Sequence, residues 1–303
     1  MPDAAPSRPT RTAHFSLARS QAWIVGAYAI AFAAAWATVL ALPGRDPLWV
    51  ALAADLVATA VVFAFSVAMD NSSMYDPYWS VAPIPIVVYW AFAPGGSEAV
   101  PGRQLAAVAL VVLWGLRLTA NQMARWHGLA DEDFRYVDIR RKTGSFYWPA
   151  SLMSLHVFPT ALVFLALVGV WPAISGPGRP LGWLDALGVV VTLAAILLET
   201  VADLQLRRFM SGSRVRGATL ETGVWAWMRH PNYLGEMGVW WGLWMLGMAA
   251  RPTAWTVAGP LALTLLFVFA SIPMKDRRML ENHPEYAERM RRVPALFPRP
   301  PRR

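Results

Sequence analysis

Long apolar runs recur along this chain of 303 residues, and they restrict its fold more than any other feature. An α-helix needs about 20 apolar residues to cross the hydrocarbon core of a bilayer. A segment in that core has to satisfy its own backbone amides and carbonyls, which favours helices. The sequence therefore predicts an all-α, polytopic membrane bundle of about eight helices, or seven if the short third run does not span. We place them at residues 21–42, 49–69, 79–94, 104–122, 151–172, 183–205, 234–250 and 253–273.

The positions of the basic residues support this number of helices. Of the 27 Lys and Arg residues, 22 lie in the two terminal tails and in the second, fourth and sixth connections between the predicted runs. Another 4 lie in the other connections, and Arg117 lies inside a run. Basic segments are retained on the cytoplasmic side of a membrane. We therefore expect both termini in the cytoplasm, and we attribute the net charge of +8 to this bias and not to nucleic-acid binding.

The chain is predicted to form one membrane domain, residues 21–303, after a disordered, polar tail at residues 1–20. The basic C-terminal segment, residues 274–300, contains interleaved glutamates and Tyr286, so we expect it to be ordered on the cytoplasmic side. The absence of cysteine excludes disulfides, a thiol nucleophile and thiolate metal ligands. Because the sequence also has no HExxH motif and no histidine-rich box, we predict no metal site.

The most polar motif of the chain, RHPNYLGE at residues 229–236, lies at the start of an apolar run. Ionisable side chains at such a position are costly and are usually retained for function. Pro231 suits the first turn of a helix, and unsatisfied amides at that turn, beside Arg229 and His230, would bind an anion. The motif therefore predicts a site for a negatively charged ligand from the cytosol.

A short connection at residues 70–79 contains carboxylates and tyrosines but no Lys or Arg. One interpretation is a turn, in which Asx hydrogen bonds, a proline and an interfacial tryptophan explain the composition. The other interpretation is functional, since a tyrosine beside a carboxylate can donate a proton to a polarised carbonyl group. On the functional interpretation the catalytic residues are Tyr75, Asp76 and Tyr78.

Two further runs carry ionisable groups on one helical face. Arg117 and Asn121 are four residues apart in the fourth run, as are Glu199 and Asp203 in the sixth, where Arg207 follows them. Buried charges need partners. These side chains either form structural salt bridges with one another or contact the ribose and amide groups of a cofactor. Arginines near a helix start suit a polyanionic cofactor, and an apolar chamber suits a lipid-soluble substrate.

Four stretches of the sequence resemble one protein family: NSSMYDPYWSVAP, ETVADLQLRRF, TGVWAWMRHPNYLGE and PEYAERMRRVPALFP. They are similar to the steroid 5α-reductase-like membrane family, and most of all to its bacterial branch, catalogued as DUF1295. The resemblance implies an oxidoreductase acting on a CH–CH group, which binds NADPH from the cytosol and reduces the carbon–carbon double bond of an enone. The implied substrate is a steroid-like or polyprenoid lipid. The implied location is the bacterial inner membrane, with the active site facing the cytoplasm.

The resemblance also assigns residues. Glu199 and Asp203 match the family's paired polar positions on the helix that lines the cofactor, and Asn232 and Glu236 match its Asn–Glu pair. Arg278, Tyr286 and Arg292 in the C-terminal tail match the family's tail positions approximately. Animal steroid reductases have Asn at the position of Glu199, and their substrate-facing Gln–Glu motif has no counterpart here, so we expect the turn containing Tyr75 to replace it. The complete set of residues predicted to bind the cofactor is Arg117, Asn121, Glu199, Asp203, Arg207, Arg229, His230, Asn232, Tyr233, Glu236, Arg278, Tyr286 and Arg292.

A second class of membrane enzyme shares part of this pattern. The RHPxYxG core and a tyrosine followed by Val-Pro also occur in membrane methyltransferases that modify isoprenylcysteine or phospholipid headgroups with S-adenosylmethionine. A non-catalytic lipid-binding protein is a third hypothesis. The Glu199–Asp203 pair and the NYLGE ending favour the reductase, whose predicted partners are a lipid-soluble small molecule and membrane lipids.

Overall fold

The computed structural model describes residue 12 and residues 14–130, 132–212 and 219–299. Within them the chain is helical and contains no strand. Residues 1–11 and 13 of the predicted disordered tail lie outside the described residues. The helices are α1 Leu17–Ala41, α2 Pro47–Met69, α3 Tyr78–Val81, α4 Pro83–Phe92, α5 Pro101–Met123, α6 Phe134–Thr143, α7 Tyr147–Ser151, α8 Phe158–Val168, α9 Trp171–Ile174, α10 Trp183–Ser211, α11 Pro231–Ala250, α12 Ala258–Leu266, α13 Ile272–Asn282 and α14 Tyr286–Arg292.

Among the described residues, six helical segments are long and apolar enough to cross a membrane. This finding confirms the prediction of an all-helical integral membrane protein with several crossing helices. The six segments are Leu17–Ala41, Pro47–Met69, Pro101–Met123, Phe134–Val168, Trp183–Ser211 and Ala254–Asn282.

The two predicted runs without a counterpart among those six are helical as well. The helices α3 and α4 extend from Tyr78 to Phe92 with a turn at Ala82, where Pro83 begins the second helix. They are too short to count as a span. Helix α11 is 20 residues long, and it is not among those six segments.

Two of the spanning segments change their helical geometry along their length. Between α7 and α8, Leu152–Val157 is a π-helix, and between α12 and α13, Phe267–Ser271 is another. π-Helical turns are rare and are frequently found at functional sites. The first of them contains His156, whose Nδ1 lies 3.0 Å from the carbonyl oxygen of Ser151, five residues earlier. Since a carbonyl only accepts, this nitrogen carries the proton.

The chain divides into two compact units, and unit 1 comprises Met1–Pro94 and Leu118–Phe164. Helix α2 begins after Asp46, whose carboxylate accepts a hydrogen bond from the amide of Leu48, and it ends at Asp70 in the left-handed conformation, with φ of 52°. That ending turns the chain back so that the following connection packs on α1 and α2. The core formed there includes Ala27, Ala31, Ala58, Val62 and Met74.

Unit 2 comprises Gly95–Arg117 and Leu165–Arg303, and its most extensive helix contact joins α10 and α11. A Cβ atom at Gly238 would lie 2.8 Å from the Cβ of Ala195, and one at Gly242 would lie 2.3 Å from Oγ1 of Thr192. Glycines at such positions let two helix backbones approach closely. The same close approach places the backbone of α11 directly against the side of α10 that carries the predicted site residues.

A buried ion pair joins α5 to α10 near the first turn of α10. Nε of Arg103 lies 2.6 Å from Oδ1 of Asp185, and Nη2 lies 2.9 Å from Oδ2. Arg103 is 1% exposed. Because the contact is bidentate, it fixes the relative position of the two helices within unit 2.

Candidate functional site

Helices α5 and α10 of unit 2 bring three ionisable side chains together. Nη2 of Arg117 lies 2.5 Å from Oε2 of Glu199, and Nη1 lies 2.9 Å from Oδ2 of Asp203. The two carboxylates project from the same face of α10 because they are four residues apart. Arg117 therefore contacts both acidic residues that the sequence placed on this face.

A third carboxylate, Glu236 of α11, is held by two tryptophans. Nε1 of Trp114 donates to its Oε2 at 3.0 Å, and Nε1 of Trp240 donates to its Oε1 at 2.8 Å. The two indole rings pack edge to face with centroids 4.9 Å apart. Both oxygens of Glu236 therefore accept hydrogen bonds from neutral donors.

We call Arg117, Glu199, Asp203 and Glu236 the Arg117 cluster. It contains three carboxyl groups and one guanidinium, and the three acidic residues are 4%, 6% and 5% exposed. Carboxylates buried in excess over cations take up a proton or another cation. The cluster can also accept hydrogen bonds from the hydroxyl and amide groups of a polar ligand. Among the described residues, no group of three or more His, Asp or Glu side chains is arranged to hold a metal ion.

The start of α11 is joined to α13 and α14 through Asp276. Nη2 of Arg229 lies 2.7 Å from Oδ2 of Asp276, and Nε2 of His230 lies 3.0 Å from Oδ1. The phenol of Tyr286 donates to the same Oδ1 at 3.0 Å. Burial, reinforced by the charge of Asp276, raises the pKa of Tyr286 to about 12. Three of the predicted cofactor-binding residues thus meet on one carboxylate.

The amides at the start of α11 bind the C-terminal segment. The backbone nitrogens of Arg229 and His230 donate to the carbonyls of Pro294 and Ala295 at 2.9 and 3.0 Å. Nη1 of Arg229 also donates to the carbonyl of Val293 at 2.7 Å. The sequence assigned an anion to the first-turn amides beside these two residues, and the donors that contact the tail lie just before that turn.

The polar residues next to the Arg117 cluster lie one helical turn from it. Asn232 is half-buried on α11, four residues before Glu236, and Arg207 is half-buried on α10, four residues after Asp203. Tyr233 is also half-buried, and its ring stacks on His230 with centroids 5.3 Å apart.

The remaining predicted cofactor-binding residues lie elsewhere. Arg278 and Arg292 are exposed on α13 and α14. Nη2 of Arg292 is 3.6 Å from Oε2 of Glu221, a long ion pair at the surface. Asn121 is buried in the last part of α5, which belongs to unit 1.

In unit 1 the two candidate phenols, Tyr75 and Tyr78, are 2% and 1% exposed. The hydroxyl of Tyr75 is 2.7 Å from Oγ1 of Thr160, and its ring packs against His156 with centroids 4.8 Å apart. The hydroxyl of Tyr78 donates to Oδ1 of Asp55 at 2.7 Å. Of the two phenols, Tyr78 is therefore the one bound to a carboxylate.

Asp76, the third predicted catalytic residue, accepts a short hydrogen bond from the phenol of Tyr136. Burial raises the pKa of Asp76 to about 6, although the Tyr136 hydrogen bond and the charge of Arg135 lower it. The charge of Asp133 acts in the same direction as burial. Asp76 therefore changes its charge near pH 6.

Side chains of the α5–α7 region hold the connection that carries these phenols. Oε1 of Glu132 accepts hydrogen bonds from the amide of Ser72 at 2.7 Å and from the phenol of Tyr147 at 3.1 Å. Nη1 of Arg140 donates to Oδ1 of Asp70 at 2.8 Å. These contacts fix the backbone of the connection and thereby the directions of its two tyrosines.

Sequence reasoning missed several side chains that complete these sites. Trp114 is three residues before Arg117 and Trp240 is four residues after Glu236, so helical spacing was a usable signal for both. Asp276 had no such signal, because its contact with Arg229 spans 47 residues of sequence.

The chain is similar over most of its length to a protein of Schizosaccharomyces pombe that is described as uncharacterized. The two are 24% identical over 278 residues, which are 84% of this chain and 80% of the relative. The cobalt-zinc-cadmium resistance protein CzcN of Cupriavidus metallidurans is 31% identical over 118 residues, and the nickel-cobalt-cadmium resistance protein NccN of Alcaligenes xylosoxydans xylosoxydans is 30% identical over 118 residues. These matches cover 39% of this chain and 52% and 53% of the two relatives.

No solved structure matches this chain. The model of the DUF1295 family, described as a protein of unknown function, matches residues 62–293. The match contains the whole Arg117 cluster and the connection that carries the two phenols. This chain therefore belongs to the DUF1295 family.

Proposed function

We propose that this protein is an NADPH-dependent membrane reductase that reduces a carbon–carbon double bond in a lipid-soluble enone of the steroid-like or polyprenoid class. The observation that carries the proposal is the Arg117 cluster. Glu199, Asp203 and Glu236 occupy positions that match the cofactor-lining pattern of the steroid 5α-reductase-like family, and α10 and α11 hold them on adjoining faces of unit 2. All three positions lie within the stretch that matches the DUF1295 model.

The residues of unit 2 fit a nicotinamide dinucleotide in their chemistry. The carboxylates of the cluster suit ribose hydroxyls and a carboxamide, and the half-buried Asn232 adds both a donor and an acceptor. Arg207 and Arg278 offer positive charge for phosphate groups. Arg229 does not take this role, since its guanidinium binds Asp276 and the tail. When bound, the reduced cofactor supplies a hydride to the substrate.

We assign the proton donor to Tyr78 from the contacts within unit 1. Reduction of an enone adds a hydride to one carbon of the double bond and a proton to the other. A positioned phenol can polarise the carbonyl group and give its proton to the enolate oxygen that hydride addition creates, and the resulting enol then tautomerises to place a proton on the carbon. In its protonated form, the carboxyl group of Asp55, 2.7 Å from the phenol, is placed to return a proton to it. Tyr75 packs on Tyr78 with ring centroids 5.1 Å apart and so orients the donor.

The proposed arrangement in the membrane has eight crossing helices, with both termini and the cofactor site on the cytoplasmic side of the bacterial inner membrane. It adds the α3–α4 segment and α11 to the six apolar segments. The alternation of basic residues along the sequence supports this orientation. The burial of α11 against α10 explains why α11 is rich in glycine and tryptophan.

A second candidate function is that of an S-adenosylmethionine-dependent membrane methyltransferase. It is favoured by the contact of Arg229 with the carbonyl of Val293, because the RHPxY core and the Val-Pro tail are the elements that this sequence shares with those enzymes. Glu199 and Asp203 lie outside the shared elements. We therefore rank the reductase first.

A cofactor panel on the purified protein in detergent tests the proposal. We expect NADPH, at a hundredfold excess over its Kd, to stabilise the protein by about 2.7 kcal/mol, measured as a rise in melting temperature. Glu236→Gln should weaken NADPH binding by about ten- to a hundredfold, because one charged hydrogen-bonding group is lost. Glu281→Gln, at an exposed position of α13, is the matched control. Stabilisation by S-adenosylmethionine and not by NADPH would establish the second candidate instead.

A further inference from the structure

We propose that Thr59 and Thr160 are positioning residues for the proton donor: with Tyr75 they form a chain of hydroxyl groups that stabilises the phenolate of Tyr78. The inference rests on the proposed function, because that function gives Tyr78 its role. It goes further, because it assigns a role to two threonines that the proposed function does not use. The contacts within unit 1 carry it.

The chain of hydroxyl groups joins α2 to α8. Oγ1 of Thr59 lies 2.8 Å from Oγ1 of Thr160, and Oγ1 of Thr160 lies 2.7 Å from the hydroxyl of Tyr75. The side chain of Thr59 is also hydrogen-bonded to the phenol of Tyr78. Thr59 and Thr160 are 1% and 2% exposed, so the chain is shielded from solvent.

The position of Tyr78 explains why the hydroxyl of Thr59 bonds to other side chains. A threonine inside a helix often donates to the carbonyl four residues earlier, as Thr192 and Thr200 do in α10. For Thr59 that carbonyl belongs to Asp55, and the phenol of Tyr78 lies 3.1 Å from its oxygen. The hydrogen bonds described for Thr59 lead to Thr160 and Tyr78 instead.

The far end of the chain is held by the π-helical turn Leu152–Val157, which precedes Thr160. His156 of this turn packs its ring against Tyr75 with centroids 4.8 Å apart, and its Nε2 lies 3.1 Å from Oγ of Ser66. π-Helical turns are frequently found at functional sites. Held in this way, Tyr75 keeps its hydroxyl on Thr160.

The direction of the hydrogen bonds along the chain follows from the number of protons. Each hydroxyl group carries one proton and can accept from a neighbour. When Tyr78 gives its proton to the enolate oxygen of the substrate, the electron pair of the broken O–H bond stays on the phenol oxygen. Thr59 donates to that oxygen, Thr160 donates to Thr59, and Tyr75 donates to Thr160. Every threonine keeps its proton throughout.

A buried chain of this kind stabilises a negative charge more than one hydroxyl group does. Hydrogen bonds are stronger where the dielectric constant is low, and each bond in a chain polarises the next. The protonated carboxyl group of Asp55 then returns a proton to Tyr78, and the carboxylate regains one from water before the next turnover. Asp55 therefore restores the phenol, whereas the threonines lower the energy of the phenolate that precedes this step.

The test compares variants of the full-length protein in detergent, with NADPH and a panel of conjugated steroid and polyprenoid enones. Thr59→Val and Thr160→Val each replace a hydroxyl by a methyl group of similar size. We expect Thr59→Val to lower kcat about ten- to a hundredfold, because a hydrogen bond to a charged oxygen is lost. Thr160→Val, one bond further along the chain, should lower kcat less. The Kd of NADPH should be unchanged in both variants.

Two matched variants accompany these substitutions. Thr59→Ser keeps the hydroxyl and should recover most of the turnover that Thr59→Val loses. Thr38→Val makes the same change of atoms in α1 of the same unit, where the hydroxyl donates to the carbonyl of Ala34 at 2.9 Å. It lies outside the chain and should keep the wild-type turnover.

A double substitution distinguishes this role from a purely structural one. Hydrogen bonds between threonines can also hold two membrane helices together. If Thr59 acts through the phenol, Thr59→Val should lower turnover no further once Tyr78→Phe is present. The same loss in the wild-type and Tyr78→Phe backgrounds would refute the inference, because a structural role does not depend on the phenol.

The results also separate the inference from the proposed function. If the wild type reduces an enone and both valine variants match it, the inference is refuted and the reductase stands. If the wild type reduces none of the enones with NADPH, the reductase is refuted and the inference is refuted with it. Thr160→Val decides the matter if Thr59→Val does not fold.

Discussion

The hydroxyl groups of Tyr78 and Tyr75 have different partners, although the two rings pack on each other. Tyr78 donates to the carboxylate of Asp55, whereas Tyr75 is bonded to Thr160. If Tyr78 is the proton donor, Tyr78→Phe should lower turnover of an accepted enone by about a hundredfold or more, as loss of a general acid does. NADPH binding should be unchanged. The measurement is the rate of NADPH oxidation, alongside the Kd of NADPH.

Tyr75→Phe is the matched control, since it removes the same atom from the neighbouring ring. Its effect on turnover should be smaller, because the hydroxyl that it deletes is hydrogen-bonded to the hydroxyl of Thr160 and not to a carboxylate. A larger loss in Tyr75→Phe than in Tyr78→Phe would move the role to Tyr75. Full turnover in both variants would show that the connection is only a turn.

Asp76 should make the stability of unit 1 depend on pH. Burial raises its pKa to about 6 in the folded protein, compared with about 3.9 in an unfolded chain. Between these values the folded state binds more protons than the unfolded state, so the free energy of unfolding falls as the pH rises and levels off above about pH 6. The neutral Asp76→Asn still accepts from Tyr136. It should therefore melt at a higher temperature than wild type at pH 7.5, and the difference should shrink toward pH 4.5. A difference that is independent of pH would contradict the assignment.

At the residue scale, local spacing predicted some contacts and could not predict others. The i, i+4 spacing of Glu199 and Asp203 placed both on one face, and a salt bridge of Arg117 with them was one of the two interpretations that the sequence left open. The sequence could not assign Asp276 to Arg229 or Asp55 to Tyr78. Those pairs depend on how distant helices pack, which no local pattern encodes.

At the scale of helices, the close contact between α10 and α11 depends on glycines of α11. A Cβ at Gly242 would lie 2.3 Å from Oγ1 of Thr192 and 2.7 Å from its backbone nitrogen. Gly242→Ala should therefore push the helices apart and destabilise the protein by about 1–3 kcal/mol, the usual effect of overpacking. Because the cluster lies on this contact, NADPH affinity should fall with it. The readouts are the melting temperature and the Kd of NADPH.

Gly26 of α1 provides the control for that substitution. A Cβ at this helical position would meet nothing within 4 Å. Gly26→Ala should be neutral or stabilising by up to about 1 kcal/mol, since alanine favours the helix. If both variants lose the same stability, the effect of Gly242→Ala does not come from the close approach of α10 and α11.

The sequence predicted the apolar helices better than it predicted the π-helical turns within them. Six of the predicted runs correspond to apolar helices because hydrophobic length alone determines whether a segment can cross a bilayer. The π-helical turns at Leu152–Val157 and Phe267–Ser271 had no sequence signal. They lie inside uniformly apolar stretches, where periodicity does not distinguish one helical geometry from another.

For the whole molecule, the proposed orientation depends on one weak segment. The α3–α4 segment runs only from Tyr78 to Phe92 and contains Pro83 and Pro85. If it crosses the membrane, the connection before it lies in the cytoplasm and the loop at Arg45 lies outside. If it does not cross, the connection before it lies outside and the loop at Arg45 lies in the cytoplasm. The side of every later loop is the same in both cases.

Single cysteines decide between these arrangements, because the chain has no cysteine of its own. Arg45, Ser97 and Ser145 are all exposed; Arg45 lies between α1 and α2, Ser97 between α4 and α5, and Ser145 between α6 and α7. With a membrane-impermeant thiol reagent applied to intact cells, we expect Arg45→Cys and Ser97→Cys to be labelled and Ser145→Cys to be labelled only after lysis. Labelling of Ser97→Cys without Arg45→Cys would mean that α3–α4 does not span, and labelling of Ser145→Cys in intact cells would invert the orientation. In the first case the basic N-terminal tail would lie outside, against the charge bias that retains such segments in the cytoplasm. Because a basic N-terminal tail is disfavoured outside the cell, we expect the α3–α4 segment to cross the membrane.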